Sequence, residues 1–178
     1  MKKLLAIFMV IVFMVTFSYA QITITKEVGE EFSVLVSAAD PVTNVIGLST
    51  WIRYDPAIIG VVDSDPSTTG TQVSATDLGF LTNGVLLANI KTTSGVEEPG
   101  TLIVGYSSIP ATPTSGSGNL FKIKFKGLSP GVTGVSFIDG HKDLQNSSGS
   151  VPAEWINSVM EVLEEEIIPR IIIQIVEP

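Results

Sequence analysis

Beyond residue 20, apolar residues recur mainly at every second position, and clusters of Gly, Pro, Asn, Asp and Ser separate the apolar runs. A period of two is typical of a half-buried β-strand. Dipeptides such as Pro99-Gly100 and Pro130-Gly131 are typical of the turns that connect strands. No segment keeps a helical period over three turns. The pattern therefore predicts a chain built of strands.

Nine candidate strands follow from this alternation, and they are short and rich in Val, Ile, Thr and Phe. They cover residues 22–28, 32–37, 45–54, 58–63, 85–92, 102–108, 120–126 and 132–138, with a last one around 156–162. Short strands at roughly ten-residue spacing are typical of sandwiches and jelly rolls. We therefore expect an all-β fold, a jelly-roll β-sandwich of about nine strands.

The first twenty residues have a different pattern. Lys2 and Lys3 precede an apolar run over residues 4–17, which ends in Ser18-Tyr19-Ala20. This order is typical of a secretory signal peptide that is cleaved after Ala20. An uncleaved anchor is the alternative, but the run is shorter than the roughly 20 residues that span a bilayer. We expect a secreted or cell-envelope protein, extracellular or periplasmic, with no membrane span after cleavage.

Charge and cysteine content narrow the function classes. The 178 residues include 10 basic and 18 acidic side chains, no cysteine and one histidine, and loss of Lys2 and Lys3 takes the formal charge from −8 to −10. That sign argues against nucleic acid and anionic membranes as partners. Without disulfides, the core alone must hold a secreted fold. The expected organisation is a signal peptide at 1–20, a sandwich at 21–163 and a tail at 164–178.

The tail combines acidic and apolar residues. Leu-Glu-Glu-Glu is followed by a mostly apolar run over residues 167–176, which Pro169 and Arg170 interrupt. The run is too short for a membrane-spanning helix. As an unpaired strand it would promote aggregation. We predict that residues 171–176 form an extra strand on a sheet edge of this domain or of a neighbouring molecule.

Reactive residues do not form a recognisable catalytic set. No Gly-x-Ser-x-Gly motif marks a nucleophilic serine. The acidic residues fall mainly in turns and termini, whereas a glycosidase needs two carboxylates across a cleft. No glycine-rich phosphate loop follows a strand, so a nucleotide is not indicated. We therefore expect no enzymatic activity and no cofactor.

The segment Asp139-Gly-His-Lys-Asp143 is the best candidate for a metal site. On an extended strand its two carboxylates and His141 would share one face, which would suit zinc, and the following Leu-Gln-Asn-Ser oxygens could contact calcium. The segment lacks the ligand spacing of an EF-hand loop. We interpret it as a solvated loop without a metal.

Two strands leave polar faces outside the expected core. In 45–54, Leu48, Ile52 and Tyr54 alternate with Gly47, Ser49, Trp51 and Arg53; in 120–126, three apolar residues alternate with Lys122, Lys124 and Lys126. Either a loop covers Trp51 and the lysines protect an edge strand, or the polar faces bind a protein or a polysaccharide. Trp and Arg are frequent among the residues that dominate interfaces.

A set of motifs in fixed order points to a family. They are Val28-Gly-x-x-Phe32-x-Val-x-Val36, Asn44-x-x-Gly47, Ile52-x-Tyr54-Asp-Pro56, Gly118-x-Leu-Phe-x-Ile123-x-Phe125, Pro130-Gly131 and Asn146-x-x-Gly149. With these motifs, residues 21–162 resemble the cohesin modules of bacterial scaffoldins, which share a jelly-roll superfamily with certain cellulose-binding modules. Order and spacing carry the resemblance, because each motif alone reflects the needs of a β-sandwich.

The resemblance implies a non-catalytic module that binds dockerins, small helical modules with paired calcium loops, and so attaches polysaccharide-degrading enzymes to a scaffold. It also implies a binding face on the sheet of the third, fifth, sixth and eighth strands. Mapped here, that face would include parts of 85–90 and the partner-binding residues Ser49, Trp51, Arg53, Ile103, Gly105, Ser107, Lys122 and Lys124. Many cohesins of the commonest type carry Asn-x-Asp where this chain has Gly47-Leu48-Ser49, which argues for a divergent member or another use of the fold.

Three functions therefore stay open. The first is a protein-binding module with a dockerin-like partner, in which calcium belongs to the partner. The second is a carbohydrate-binding module that binds a polysaccharide. Few tryptophans and tyrosines after residue 20 are available to stack on sugar rings, namely Trp51, Trp155, Tyr54 and Tyr106. The third is cell-envelope self-assembly through residues 171–176.

Overall fold

The computed structural model describes residues 23–71, 81 and 84–164, and within them every regular element is a strand. In chain order the strands are β1 (Thr23–Glu27), β2 (Glu31–Arg53), β3 (Ile59–Val61), β4 (Gly84–Thr93), β5 (Val96–Ser108), β6 (Thr114–Gly127), β7 (Gly131–Asn146), β8 (Gly149–Ser150) and β9 (Ser158–Leu163). The all-β prediction is confirmed. No helix in this part of the chain is long and apolar enough to cross a membrane.

The strands join in the order β1-β9-β7-β2-β5-β4, and β6 pairs with β2 and β3. Most pairs are antiparallel, whereas β1 runs parallel to β9. Strand β2 is the hub of the sheet. Its first half, residues 31–36, pairs with β6, and its second half, residues 47–53, lies between β5 and β7.

Strand β2 folds back on itself, which creates two layers. Phe125 of β6 lies 6.0 Å from Phe32 and 5.3 Å from Tyr54, measured between ring centroids. Phe32 is the second residue of β2, and Tyr54 directly follows its last residue. A fully extended strand would separate these two residues by about 70 Å. Register shifts between Val36 and Val45 mark where the chain bends. The two halves of β2 therefore face each other across the core.

The core lies between these layers and draws on both halves of β2. Phe121, Ile123 and Phe125 of β6 are fully buried on one side, and Leu48 and Ile52 are buried on the other. Leu102 and Val104 of β5 and Met160 and Val162 of β9 fill the rest of the layer contact. These are the inward positions that the period-two pattern predicts.

The chain leaves β2 through the Asp55-Pro56 corner. The Asp55 amide donates to Thr133 Oγ1 at 2.9 Å, and the Asp55 carboxylate accepts from the Ala57 amide at 2.9 Å. Proline has no amide hydrogen to continue the ladder, so the strand ends here and turns towards β3. The contacts of Asp55 thus stabilise the corner itself.

Several strand boundaries differ from the expectation. The segments predicted at 32–37 and 45–54 are one strand, β8 was not predicted, and β7 continues to Asn146. The interpretation of residues 139–143 as a solvated loop is wrong, because β7 pairs with β2 through Asp143 and Leu144. The predicted signal peptide at 1–20 and the predicted strand at 171–176 lie outside the described residues.

Candidate partner-binding face

The second layer presents a broad outer surface, which we call the front face. It consists of the outward residues of β4, β5, the second half of β2 and the part of β7 from Ser136 onwards. Register aligns them in rows, Val85 with Ser107, Gly47 and Gln145; Leu87 with Gly105, Ser49 and Asp143; Asn89 with Ile103 and Trp51; and Thr101 with Arg53 and Ser136. Inward neighbours such as Leu48, Val104 and Leu86 belong to the core.

Trp51 stands at the centre of the front face and is half-buried. Its ring stacks on His141 with a centroid distance of 3.8 Å and an interplanar angle of 8°. The Lys91 ammonium lies 5.9 Å from the indole centroid, within the range of a cation–π contact. The indole is thus outside the core, as predicted, and is partly covered by a side chain of the neighbouring strand.

A bulge in β7 carries His141 to Trp51. Thr50 is opposite Lys142 and Ile52 is opposite Phe137, so residues 138–141 have to fit across from Trp51 alone. Gly140 adopts φ +78° within this bulge, a left-handed conformation that glycine adopts without the usual steric cost. The extra residues displace the His141 ring from the regular pleat and allow it to lie on the indole.

Charged side chains surround the stack. The Lys142 ammonium lies 2.6 Å from Asp139 Oδ1, and the Lys91 ammonium lies 2.7 Å from Glu98 Oε2. Both contacts lower the pKa of the carboxyl group concerned, because a cation stabilises the ionised form. Arg53 is exposed and makes no ion pair within the described part of the chain.

Asp143 is held by neutral donors. Ser150 Oγ donates to Asp143 Oδ1 at 2.5 Å, and Gln145 Nε2 donates to Oδ2 at 2.7 Å. These hydrogen bonds, the one from Ser150 first, lower the pKa of the Asp143 carboxyl. The polar edge of the front face therefore carries a fixed carboxylate beside β8.

The opposite edge of the front face is apolar. Leu87 is 72% exposed and Ile109 is 66% exposed, and Val85 is also exposed. They line a shallow depression of about 320 Å³ together with Gly105, Tyr106 and Ser107. A Cβ on Gly105 would meet no atom within 4 Å, so the missing side chain leaves open surface between Leu87 and Ser49.

Six of the eight predicted site residues come together here. Ser49, Trp51, Arg53, Ile103, Gly105 and Ser107 share the front face. Lys122 and Lys124 do not, because they belong to β6 and pair with Leu35 and Ser33 on the outer surface of the first layer. The expectation that all eight form one surface is wrong for these two lysines, since β6 pairs with the other half of the folded β2.

Sequence reasoning missed the contribution of β7. His141, Asp143 and Gln145 complete the front face, and the alternation Asp143-Leu144-Gln145 around a buried leucine was the available signal. The bulge at Gly140 breaks this alternation just before it, which explains the loop interpretation. The eighth of the nine predicted strands, residues 132–138, lies in β7. The fourth strand of the implied binding face is therefore β7 and not β6.

The metal-like segment is divided among separate contacts. Asp139 pairs with Lys142, His141 stacks on Trp51, and Asp143 accepts from Ser150 and Gln145. In the residues that the structure describes, no group of three or more His, Cys, Asp or Glu side chains is placed to hold a metal ion.

Comparison with known structures gives the same fold in cohesins of different kinds. A type II cohesin domain from the cellulosome of Acetivibrio cellulolyticus is 23% identical, with a TM-score of 0.58 over 76% of this chain and 88% of that chain. A non-cellulosomal cohesin from the archaeon Archaeoglobus fulgidus is 18% identical, with a TM-score of 0.53 over 80% and 87%.

A third similar chain comes from a type I cohesin–dockerin complex of Clostridium thermocellum, at 12% identity and a TM-score of 0.58 over 79% of this chain and 94% of that chain. No curated protein matches the sequence. The family model of the cohesin domain, a non-catalytic protein-binding module, matches residues 21–151. Because this match spans most of the sequence, the chain belongs to the cohesin domain family.

Proposed function

We propose that this cohesin domain binds a dockerin-like module with its front face. The observation that carries the proposal is that an exposed leucine, Leu87, and a half-buried tryptophan, Trp51, lie on the same outer surface of the sheet. Among the described residues, Gly70 lies against the face at Asn89, while Leu87 stays exposed. Large apolar and aromatic side chains left uncovered on a sheet are typical of a binding site.

The partner's chemistry follows from the two edges of the face. The depression beside Leu87 and Gly105 suits an apolar ridge, such as the exposed side of a partner helix. Arg53 has no ion pair in the described part of the chain and lies two residues from Trp51. It therefore suits a carboxylate on the partner. The similar chains include cohesins solved in complex with dockerins, which supports this kind of partner.

We also propose that the protein is exported and that its partner carries an enzyme for polysaccharide degradation. The signal-like residues 1–20 and the similarity to cohesins of cellulosomes support this. One similar cohesin is non-cellulosomal, so binding to a dockerin does not by itself imply a role in polysaccharide degradation. Identifying the protein that carries the dockerin tests that role.

A pull-down from the source organism's secreted proteins tests the proposal. The immobilised protein is expected to retain a protein with paired calcium-loop repeats when calcium is present, and to lose it in chelator, since calcium folds such loops. Retention that does not depend on calcium, or no retention at all, contradicts dockerin binding.

Two variants connect capture to the front face. Gly105→Arg places a long side chain in the open depression without meeting another atom at its Cβ, and it should abolish capture while the domain stays folded. Lys124→Ala changes the outer surface of the first layer and should leave capture unchanged. Equal capture by all three proteins would move the site away from the front face.

The same assay separates protein binding from sugar binding. Trp51 is the only Trp, Tyr or Phe among the outward residues of the front face named above, and Tyr106 beside the depression is buried. Binding to crystalline polysaccharide calls for several exposed aromatic platforms in a row. If soluble polysaccharide retards the protein on an affinity gel and no secreted protein is retained, the domain is a carbohydrate-binding module.

A further inference from the structure

His141 is the only histidine of the chain, and it stacks on the tryptophan at the centre of the front face. At 3.8 Å and 8°, the imidazole and indole rings are in parallel contact. Indole is the aromatic side chain that attracts a cation most strongly, and the attraction acts on its ring face. A proton on His141 would therefore turn a neutral stack into a cation–π contact.

Charged side chains from four strands lie around the stack. They are Arg53 on β2, Lys91 on β4 with its ion partner Glu98 on β5, and Asp139, Lys142 and Asp143 on β7. The pKa of each of these three carboxyls is lowered by its partners, so all three stay ionised between about pH 5 and 8. The carboxylates beside the stack therefore do not change their charge in that range.

We propose that Trp51 and His141 form a proton-responsive aromatic pair at the centre of the front face. Protonation strengthens the stack and adds a positive charge beside Arg53. The front face therefore becomes more positive as the pH falls, although the protein as a whole is acidic.

The consequence for binding rests on the proposed function. A partner that offers a carboxylate to Arg53 meets an additional cation when His141 is protonated. Its affinity should therefore be higher when His141 is protonated than when it is neutral. His141→Phe keeps an aromatic ring over Trp51 but cannot take up a proton. The variant therefore distinguishes the effect of ring stacking from the effect of the positive charge.

Tryptophan emission of the full chain tests the pair without a partner. Between about pH 8 and 5, emission should decrease, because a protonated imidazole in contact with an excited indole quenches it more than the neutral ring does. His141→Gln and His141→Phe should each lose this decrease. Trp51→Phe, which keeps only Trp155 against Phe137, should also show no decrease in this range.

A flat emission profile for the unmodified protein, or the same decrease in His141→Gln, overturns the proposal. Nuclear Overhauser contacts between the ring protons of His141 and Trp51 give a second, independent measurement, and their absence overturns it as well. Because neither measurement needs a partner, failure of the pair is distinct from failure of the pull-down. All the substitutions are on the outer surface, where the fold tolerates them.

Discussion

The two halves of β2 share one alternation of buried and outward residues but carry different outer surfaces. Beside the first half, Lys124 forms an ion pair with Glu31, and Leu35 is exposed next to Lys122. Beside the second half, Trp51 stacks on His141, and Leu87 and Gly105 leave an apolar depression. Because ion pairs occur on both surfaces, it is the aromatic stack and the apolar depression that distinguish the candidate binding layer.

The largest effect is expected where the two halves meet. Phe125 is fully buried and contacts both Phe32 and Tyr54, so Phe125→Ala should lower the free energy of unfolding by about 3–5 kcal/mol. Denaturant unfolding measures the change. Phe125→Leu is the control, with a smaller loss. A loss under about 1 kcal/mol for the alanine variant would contradict the folded-back packing of β2.

The next largest effect is expected on partner affinity and tests the front face directly. Trp51→Ala should weaken binding of the captured partner by about 1 kcal/mol or more, the usual threshold for an important interface residue. Its free energy of unfolding should change less than that of Phe125→Ala, since Trp51 lies outside the core. Isothermal titration with the partner measures the affinity, and an unchanged dissociation constant would remove Trp51 from the site.

On the first layer, Lys124→Ala should have a small effect. The ion pair with Glu31 is exposed on both sides, and pairs of this kind contribute about 0–1 kcal/mol to stability. Partner affinity should not change, because Lys124 lies in the layer opposite Trp51. A clear loss of affinity, measured by the same titration, would extend the binding site to the first layer.

The smallest effect concerns acid stability. The pKa of the Asp143 carboxyl is lower in the folded protein than its ordinary value. The ionised carboxylate therefore stabilises the folded state at pH values above the ordinary pKa. The contribution is lost as the pH falls through the folded value. Asp143→Asn should therefore unfold with a weaker dependence on pH below about 4, as measured by thermal unfolding at several pH values. An identical pH profile would show that the hydrogen bonds from Ser150 and Gln145 do not stabilise the fold.

Most of the fold follows from the alternation of residue types, because burial on one side of a strand imposes a period of two. The alternation marked Ile52, Phe121 and Phe125 as core residues, and all are buried. It also placed Trp51 outside the core. The limits of β7 could not be predicted, because the bulge at Gly140 interrupts the period where the strand continues.

The sequence by itself determined the class of fold, the inward residues and, through its ordered motifs, the family. Each of these depends on spacing along one strand or on residues near in sequence. Only the tertiary structure decided which outward residues share a surface. It separated Lys122 and Lys124 from Trp51 and brought His141 onto the indole. The reason is that β2 folds back between two layers, and strand pairing over long sequence distances leaves no period in the sequence.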